Sequence, residues 1–471
     1  MAGKNKALHA GLGYTIGNIF IKGINFLTLP LFSRLMTTEE FGTYNIFISY
    51  DAILSIILGF ATYTSVRSAH YEFKDTDKYV SSISLFYILN SLFYILNAIF
   101  SLALILVGGH HLASFLGFNE SLLLLLVPFS FAGGIVQLYN QRISLNYDYK
   151  KYLIIAFINS FGNVVLSLIF ILTVFDEERD IGRILGTVCT IFLISMVLLF
   201  DIFKKRFPKY NQRFWKFGLL YSLPIVPHGL SQVLLGQCDR IMISYMIGNS
   251  AAGIYSLAGN LQLVLAVITN SIGTSWSTWF YSKMEQKKYL DIQRNAELLS
   301  HVFLIFTIAL LAISPEIIYV LGGDNYENGK FVAIPMLISG FLVFLYSVIV
   351  PSEYYTKQTI YIMFGTMIAA VINIIGNFIF IKIGGYIAAA YTTLFSYVCY
   401  LLLHVFISYK LVRFNVIRIK HIFLYFIFLF LSGGMNLFFI NDLVLRYTLS
   451  FIVVILLTIP ICKRLFLKVK K

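Results

Sequence analysis

The stretch LHAGLGYTIGNIFIKGINFLTLPLFS, residues 8–33, is an apolar run whose single charged residue is Lys22. A transmembrane helix needs about 20 consecutive residues of predominantly apolar character, so this run is long enough to cross a bilayer. It is too long for the apolar region of a cleavable signal peptide. We therefore expect it to stay in the chain as a first membrane span.

Similar runs recur along the whole chain. Hydrophobic residues make up 58% of the sequence and charged residues 12%, whereas a soluble domain carries about 25% charged residues. This composition predicts an all-α polytopic membrane protein. The predicted spans, fourteen in number, lie near residues 8–33, 42–65, 80–107, 121–141, 152–174, 182–203, 217–245, 251–280, 296–320, 329–352, 360–381, 385–408, 421–440 and 446–462.

The distribution of positive charge orients these spans. An even number of spans puts both termini on one side, and both termini are basic. With the termini inside, the cytoplasmic segments hold 28 of the 36 Lys and Arg residues, and the other side holds seven. This asymmetry follows the positive-inside rule. It explains the net charge of +14 without nucleic acid, and it predicts a multi-pass protein of a bacterial inner (plasma) membrane with cytoplasmic termini.

A weak internal repeat divides the chain. The segment INSFGN at 158–163 matches INIIGN at 372–377, and Gly42-Thr43-Tyr44 matches Gly253-Ile254-Tyr255, at offsets of 214 and 211 residues. Each offset spans six helices, an even number, so the halves should have parallel topology and a pseudo-twofold axis along the membrane normal. We expect a six-helix N-lobe at 1–210, a six-helix C-lobe at 211–412, and two additional helices with a basic tail at 413–471.

Ionisable residues within spans are costly and are therefore candidates for function. Lys22 lies 12 residues before Arg34, about 18 Å deeper in a helix. Asp51, in the second span, is at a similar depth. Lys22 and Asp51 could form a structural pair or could share a site at which a proton or cation binds, and the sequence leaves both open.

The seventh span carries a second group of candidates. Asp239 and Arg240 lie near its outer end, with side chains on different faces because they are adjacent in the helix. Either substrate contact or a structural role fits them. Pro224 and Pro227 should kink the helix and release backbone carbonyls, and His228 would place a titratable group at this hinge.

Motifs of catalytic or metal-binding type are absent from the sequence. The four cysteines lie in or beside apolar runs and form no CxxC pair, so small apolar filler is the better interpretation. We expect a transporter with no catalytic residues, no metal and no resident cofactor, whose transport is coupled to H⁺ or Na⁺.

Several motifs resemble those of the Wzx-like O-antigen and capsule flippases, the polysaccharide transporter branch of the MOP superfamily, to which MATE exporters also belong. The motifs are LPLFSRL at 29–35, EEFGTY at 39–44, Asp239-Arg240 before Gly253-Ile254-Tyr255, and the Asn-x-x-Gly-Asn repeats. The resemblance implies a V-shaped bundle of two six-helix lobes around a cationic cavity. It also implies alternating access, with undecaprenyl pyrophosphate carrying an oligosaccharide as the substrate, moved to the outer leaflet for lipopolysaccharide or capsule synthesis.

The resemblance also implies site residues. In the related lipid II flippases, arginines of the first helix line the cavity; Lys22 and Arg34 match two such positions by spacing, whereas a third is Thr28 here. Arg67, Arg142 and Arg213 lie at predicted cytoplasmic helix ends. The arginine fork suits pyrophosphate, so these three are candidate contacts at the entrance. Membrane lipids and other polysaccharide-assembly membrane proteins are the expected partners.

Two alternatives stay open. A MATE-type cation-coupled drug exporter shares the superfamily but typically has twelve helices and favours a negatively charged cavity, whereas Lys22 is positive. A membrane-embedded polysaccharide polymerase or ligase resembles this chain in hydrophobicity, but it needs a sizeable external loop, which the sequence lacks.

The topology gives a first prediction. Reporter fusions at Lys471 and within residues 176–180 should report opposite sides of the membrane, because the charge asymmetry places the C-terminus inside and this loop outside. Fusions that report the same side would contradict the predicted orientation.

Overall fold

The computed structural model describes residues 2–91 and 120–469, and every regular element within these ranges is helical. In chain order the helices are α1 (Ala2–Leu27), α2 (Leu29–Leu35), α3 (Thr38–Gly59), α4 (Val66–Glu72), α5 (76–91, where the first described range ends), α6 (Glu120–Leu145), α7 (Tyr149–Thr173), α8 (Arg179–Lys205), α9 (Gln212–Ser222), α10 (Val226–Met246), α11 (Asn249–Glu285), α12 (Tyr289–Gly322), α13 (Gly329–Ile349), α14 (Pro351–Tyr355), α15 (Thr359–Ile407), α16 (Ile419–Phe438) and α17 (Leu443–Val469).

The helices confirm the all-α polytopic fold. Within the described ranges, eleven helical segments are long and apolar enough to cross a membrane, and Leu443–Ile459 is a shorter apolar helix. One of the eleven, Thr359–Lys410, contains two predicted spans, because Gly385 breaks it with φ 65° and ψ −158°. Such a conformation is readily adopted only by glycine. The predicted span 80–107 lies outside the described residues from position 92 onward.

A side-chain cap stabilises the short connection between α2 and α3. Thr37 caps α3: its hydroxyl accepts a hydrogen bond from the Glu40 backbone N–H at 3.2 Å, and the Glu40 carboxylate accepts one from the Thr37 backbone N–H at 2.7 Å. This capping box satisfies two of the donors that a helix start leaves open. It lets α3 begin three residues after α2 ends.

The seventh predicted span is broken, as its prolines predict. A 3₁₀ turn over Leu223–Ile225 separates α9 from α10. Pro224 lies within this turn and Pro227 in the first turn of α10. Proline fits these positions because neither requires a backbone N–H donor. The expected kink is confirmed; a hinge movement there stays a prediction.

The chain divides into two compact units, Met1–Gly253 and Ile254–Lys471. In the first unit, a buried apolar cluster that includes Tyr79, Ile135 and Leu138 joins α5 and α6 to their neighbours. The predicted lobes and their pseudo-twofold relation rest on the repeat and stay a prediction.

In the first unit, the starts of α3 and α11 cross at backbone contact. A Cβ on Gly42 would lie 1.9 Å from the carbonyl oxygen of Asn249, and a Cβ on Gly253 would lie 2.0 Å from that of Thr38. The Thr38 and Ser250 hydroxyls also hydrogen-bond at 2.7 Å. Gly42 and Gly253 correspond in the repeat, as do Thr38 and Asn249, at one offset of 211 residues. The crossing therefore has local two-fold character.

The repeated asparagines join neighbouring helices in both units. In the first unit, Asn163 accepts a hydrogen bond from Thr187 on the next helix at 2.9 Å. In the second unit, the equivalent Asn377 accepts one from Thr392. The repeat thus preserves a polar helix–helix contact, which is effective where water is excluded.

In the second unit, ion pairs hold the two C-terminal helices against α12 at both ends. Arg418, just before α16, makes two hydrogen bonds of 2.5 Å to the buried carboxylate of Glu297. At the opposite end of α12, Glu316 accepts a hydrogen bond from Arg446 of α17. The additional helices are therefore an integral part of this unit.

The glycine crossing gives a second prediction. Gly42→Ala and Gly253→Ala should each lower the thermal unfolding midpoint of the purified protein, because the new methyl group would overlap a carbonyl oxygen. Overpacking of this kind costs about 1–3 kcal/mol. The control is Gly236→Ala, since a Cβ there meets nothing within 4 Å. Unchanged midpoints for both crossing variants would contradict the observed packing.

Candidate functional site

Lys22 and Asp51 lie apart in the first unit. Lys22 is exposed on α1, one turn beyond Asn18, which accepts a 2.7 Å hydrogen bond from the Tyr152 hydroxyl of α7. The half-buried Asp51 carboxylate accepts a hydrogen bond from Ser130 of α6. No ion pair joins Lys22 to Asp51 within the described residues. The pair considered from the sequence is not formed, and the Lys22 side chain is exposed.

Arg34 lies in the last turn of the short helix α2, and its side chain is exposed. Thr28 separates α1 from α2, and its hydroxyl donates a 2.9 Å hydrogen bond to the carbonyl of Asn25. A cation in the last turn of a helix is favoured by the helix dipole. Lys22 and Arg34 thus provide two exposed cations on consecutive helices.

Arg240 belongs to a polar network between α10 and α3. Its guanidinium donates to the Gly236 carbonyl at 3.1 Å and to the Gln237 side-chain oxygen. The same oxygen accepts a 3.1 Å hydrogen bond from Ser49 on α3. The neighbouring Asp239 is buried. These contacts give Arg240 a structural role in joining two helices, while Pro224, Pro227 and His228 lie about three turns earlier at the 3₁₀ turn.

Arg142 is the buried member of the three predicted entrance arginines. Its guanidinium lies 2.8 Å from Asp77 and 3.5 Å from Asp201, and Asp201 also accepts a 2.8 Å hydrogen bond from Tyr139. Because its partners lie on α5 and α8, Arg142 joins three helices at the end that the sequence predicts to be cytoplasmic. The Arg142 side chain is buried, whereas those of Asp77 and Asp201 are 39% and 43% exposed, so removal of both carboxylates would leave a buried cation without its partners.

A polar pocket of about 460 Å³ opens beside Arg142. Its lining includes Lys74, Asp75 and Arg206, and the last two form a 2.5 Å ion pair. The other predicted arginines, Arg67 and Arg213, are exposed, and Arg213 lies over the ring of Phe73 at 5.2 Å. Arg142 alone of these three lines the pocket.

The sequence motifs of the first unit converge on a residue that sequence reasoning missed. Arg183 of α8 is buried, with its guanidinium 3.4 Å from the ring centroid of Phe32 and 4.9 Å from that of Tyr44. It also donates a 3.3 Å hydrogen bond to Asn163. A desolvated cation over aromatic faces is stabilised by about 2 kcal/mol or more. The LPLFSRL, EEFGTY and INSFGN segments therefore form one buried site around this arginine.

Two acidic residues of the second unit were also missed. Glu353 lies fully buried against His404, and Glu297 is paired with Arg418, whose pKa this hydrogen bond raises. The hydropathy pattern placed Glu353 and Arg418 in loops. One sequence signal could have identified such residues. A carboxylate or an arginine that lies within one turn of an apolar run can be buried where the end of the helix packs against its neighbours.

Comparison with known proteins identifies a matching family and two related sequences. The family model described as "Polysaccharide biosynthesis protein" matches residues 9–277, more than half of the chain. The chain is 24% identical to Lsg locus putative protein 1 of Haemophilus influenzae, over 73% of this chain and 83% of that protein. It is also 24% identical to an uncharacterized membrane protein of Methanocaldococcus jannaschii, over 83% and 95% of the two chains.

Solved structures share the fold. The lipid II flippase MurJ in an inward closed conformation superposes with a TM-score of 0.72 at 18% identity, over 96% of this chain and 99% of that chain. An inward-facing multidrug resistance MATE transporter of the MOP superfamily gives a TM-score of 0.63 at 13% identity, over 85% and 99%. At these identities the likeness establishes the fold alone.

The Arg183 site gives a third prediction. A double-mutant cycle of Phe32→Leu and Arg183→Met should show a coupling free energy of unfolding of about 2 kcal/mol, because the ring and the desolvated guanidinium interact directly. In the matched control cycle, Lys205→Met replaces Arg183→Met; Lys205 is exposed at the other end of α8. Thermal or denaturant unfolding of the purified variants measures both cycles. Additive effects in the first cycle would contradict the interaction.

Proposed function

Since the chain belongs to the polysaccharide biosynthesis protein family, we propose that it is a flippase for lipid-linked saccharide. Its substrate is an undecaprenyl-pyrophosphate-linked oligosaccharide repeat unit. The protein moves this unit from the cytoplasmic to the outer leaflet of a bacterial inner membrane by alternating access, coupled to H⁺ or Na⁺. Family membership is the observation that carries the proposal.

The charge of the first two helices supports an anionic substrate. Lys22 and Arg34 are exposed on apolar helices, and an ammonium group such as that of Lys22 requires compensation by water or by an anion there. The pyrophosphate of a lipid-linked saccharide supplies such an anion at the end of an apolar chain. A cationic drug would instead be repelled by these two residues.

The C-terminal helices favour a flippase over a drug exporter. The fold likeness to the lipid II flippase covers nearly the whole chain, whereas the likeness to the MATE transporter covers less of it. The ion pairs of Arg418 and Arg446 integrate the last two helices into the second unit. The greater extent of the likeness to the flippase, together with these integrated helices, supports the proposal.

The proposal predicts the effect of removing the Lys22 charge. Lys22→Ala should reduce surface polysaccharide about tenfold or more and should cause lipid-linked intermediate to accumulate, because a hydrogen bond to a charged group contributes about 1.5–3 kcal/mol. Lys22→Arg should retain part of the activity. Lys382→Ala, which removes an exposed lysine of the second unit, is the matched control. Cells that lack the gene and express each variant at equal level provide the measurement.

The same variants separate the two candidate functions. A drug exporter should efflux cationic dyes, and Lys22→Ala should leave that efflux unchanged or should increase it. Normal polysaccharide export by Lys22→Ala, together with dye efflux by the wild-type protein, would overturn the flippase proposal.

A further inference from the structure

The second unit contains a carboxylate–imidazole pair that the proposed function has not used. Glu353 lies on the short helix α14, and His404 lies in the last turn of α15. The His404 Nδ1 atom is 2.8 Å and 3.0 Å from the two carboxylate oxygens of Glu353. Both residues are fully buried, with 0% exposure. A titratable pair inside a membrane protein is a candidate for function.

The second ring nitrogen of His404 is open to a proton. Because Nδ1 faces the carboxylate, it serves as the N–H donor, and Nε2 then carries the lone pair in the neutral ring. Within the described ranges, Nε2 has no hydrogen-bond partner. It faces Gly365, where a Cβ would lie 2.6 Å from this nitrogen. The absent side chain provides the space beside Nε2.

The groups packed around the pair are aromatic and uncharged at neutral pH. Tyr346 from α13 and Tyr400 from α15 place their ring centroids 4.8 Å and 4.6 Å from that of His404. Tyr354 and Tyr397 also face this region. The lysine or arginine nearest to His404 in the sequence is Lys410, which follows α15 and whose side chain is exposed.

These surroundings favour a state in which Glu353 and His404 together carry no net charge. With a neutral imidazole, the carboxylate leaves one net negative charge in a buried apolar environment, which is costly. One proton added to Nε2 converts the imidazole to imidazolium, and the pair becomes a salt bridge with no net charge. No covalent bond other than N–H forms, and none breaks.

We propose that Glu353 and His404 form a proton-binding site that takes one proton on His404 Nε2 and couples its uptake and release to transport. The coupling to transport rests on the proposed function, whereas proton binding itself does not. The charged pair holds α14 against the end of α15, and loss of the proton weakens that contact. Protonation thereby acts on the packing of two helices.

Exposed residues directly follow the buried carboxylate along the chain. Tyr354 and Tyr355, the last two residues of α14, are 46% and 41% exposed. These residues lie at the end that the sequence predicts to be cytoplasmic. Pro351 starts α14 one residue after Val350, which follows the end of α13, and proline provides no backbone N–H for a helical hydrogen bond next to the carboxylate.

Proton binding is measured directly on the full-length protein in nanodiscs by NMR of ¹⁵N-labelled histidine rings. His404→Gln identifies the His404 signals. In spectra recorded over a series of pH values, Nε2 should change reversibly between protonated and unprotonated states. Glu353→Gln should shift this transition. A ring that keeps one protonation state across the whole range would overturn the proposal.

Transport provides the second measurement. Glu353→Gln and His404→Gln preserve polarity but remove one titratable group each, and each should lower polysaccharide export about tenfold. Their residual export should no longer respond to collapse of the proton gradient by an uncoupler. Lys410→Gln, which changes an exposed charge nearby, is the matched control. Variants that export like the wild type, with the wild-type response to the uncoupler, would show that the pair is structural and would overturn the coupling.

The two measurements distinguish the two proposals. A wild-type protein that exports no lipid-linked saccharide but whose His404 titrates would contradict the proposed function and leave the proton site supported. If both substituted proteins fail to fold, Gly365→Ala, which fills the space beside Nε2, identifies the His404 signals instead, because it should suppress protonation of this ring and leave the other histidines unchanged.

Discussion

Removal of a charged side chain from water costs several kcal/mol unless a partner compensates it, and loss of that partner costs about 3–5 kcal/mol. In a chain whose helices are apolar on most faces, this constraint determines which helices are joined. Arg142 joins three helices through Asp77 and Asp201. Glu297 holds the start of α16 through Arg418. These contacts join particular helices at defined positions, in addition to the apolar packing.

Close backbone contact complements the buried charges. Where α3 crosses α11, Gly42 and Gly253 allow the helices to meet at the carbonyl groups, and small residues at such crossings are typical of membrane helices. Tyr44, one of the two aromatic residues that contact the Arg183 guanidinium, also lies on α3. Phe32, Tyr44 and Asn163, which belong to the motifs that resemble the flippase family, therefore pack around one buried arginine, whereas Lys22 is exposed and is the residue that we propose contacts a substrate.

The apolar runs predicted the helices well, because burial of backbone groups in a bilayer leaves few alternatives to long helices. They did not predict side-chain partners. Depth alone suggested that Lys22 could meet Asp51, but the rotation of each helix about its axis decides the contact, and Asp51 binds Ser130 instead. Hydropathy falls at Glu353, and this fall predicts a loop at that position. Its burial depends on tertiary packing that no local pattern contains.

Reconstitution tests the central claim most directly. Purified protein is placed in liposomes that contain a fluorescent undecaprenyl-pyrophosphate-linked saccharide, and an impermeant quencher reports which leaflet holds the label. With the wild-type protein, the inner-leaflet label should become accessible to the quencher faster than in protein-free liposomes or in liposomes with the Lys22→Ala variant. Label that stays as inaccessible as in protein-free liposomes, while the same protein transports a cationic dye, would contradict the account.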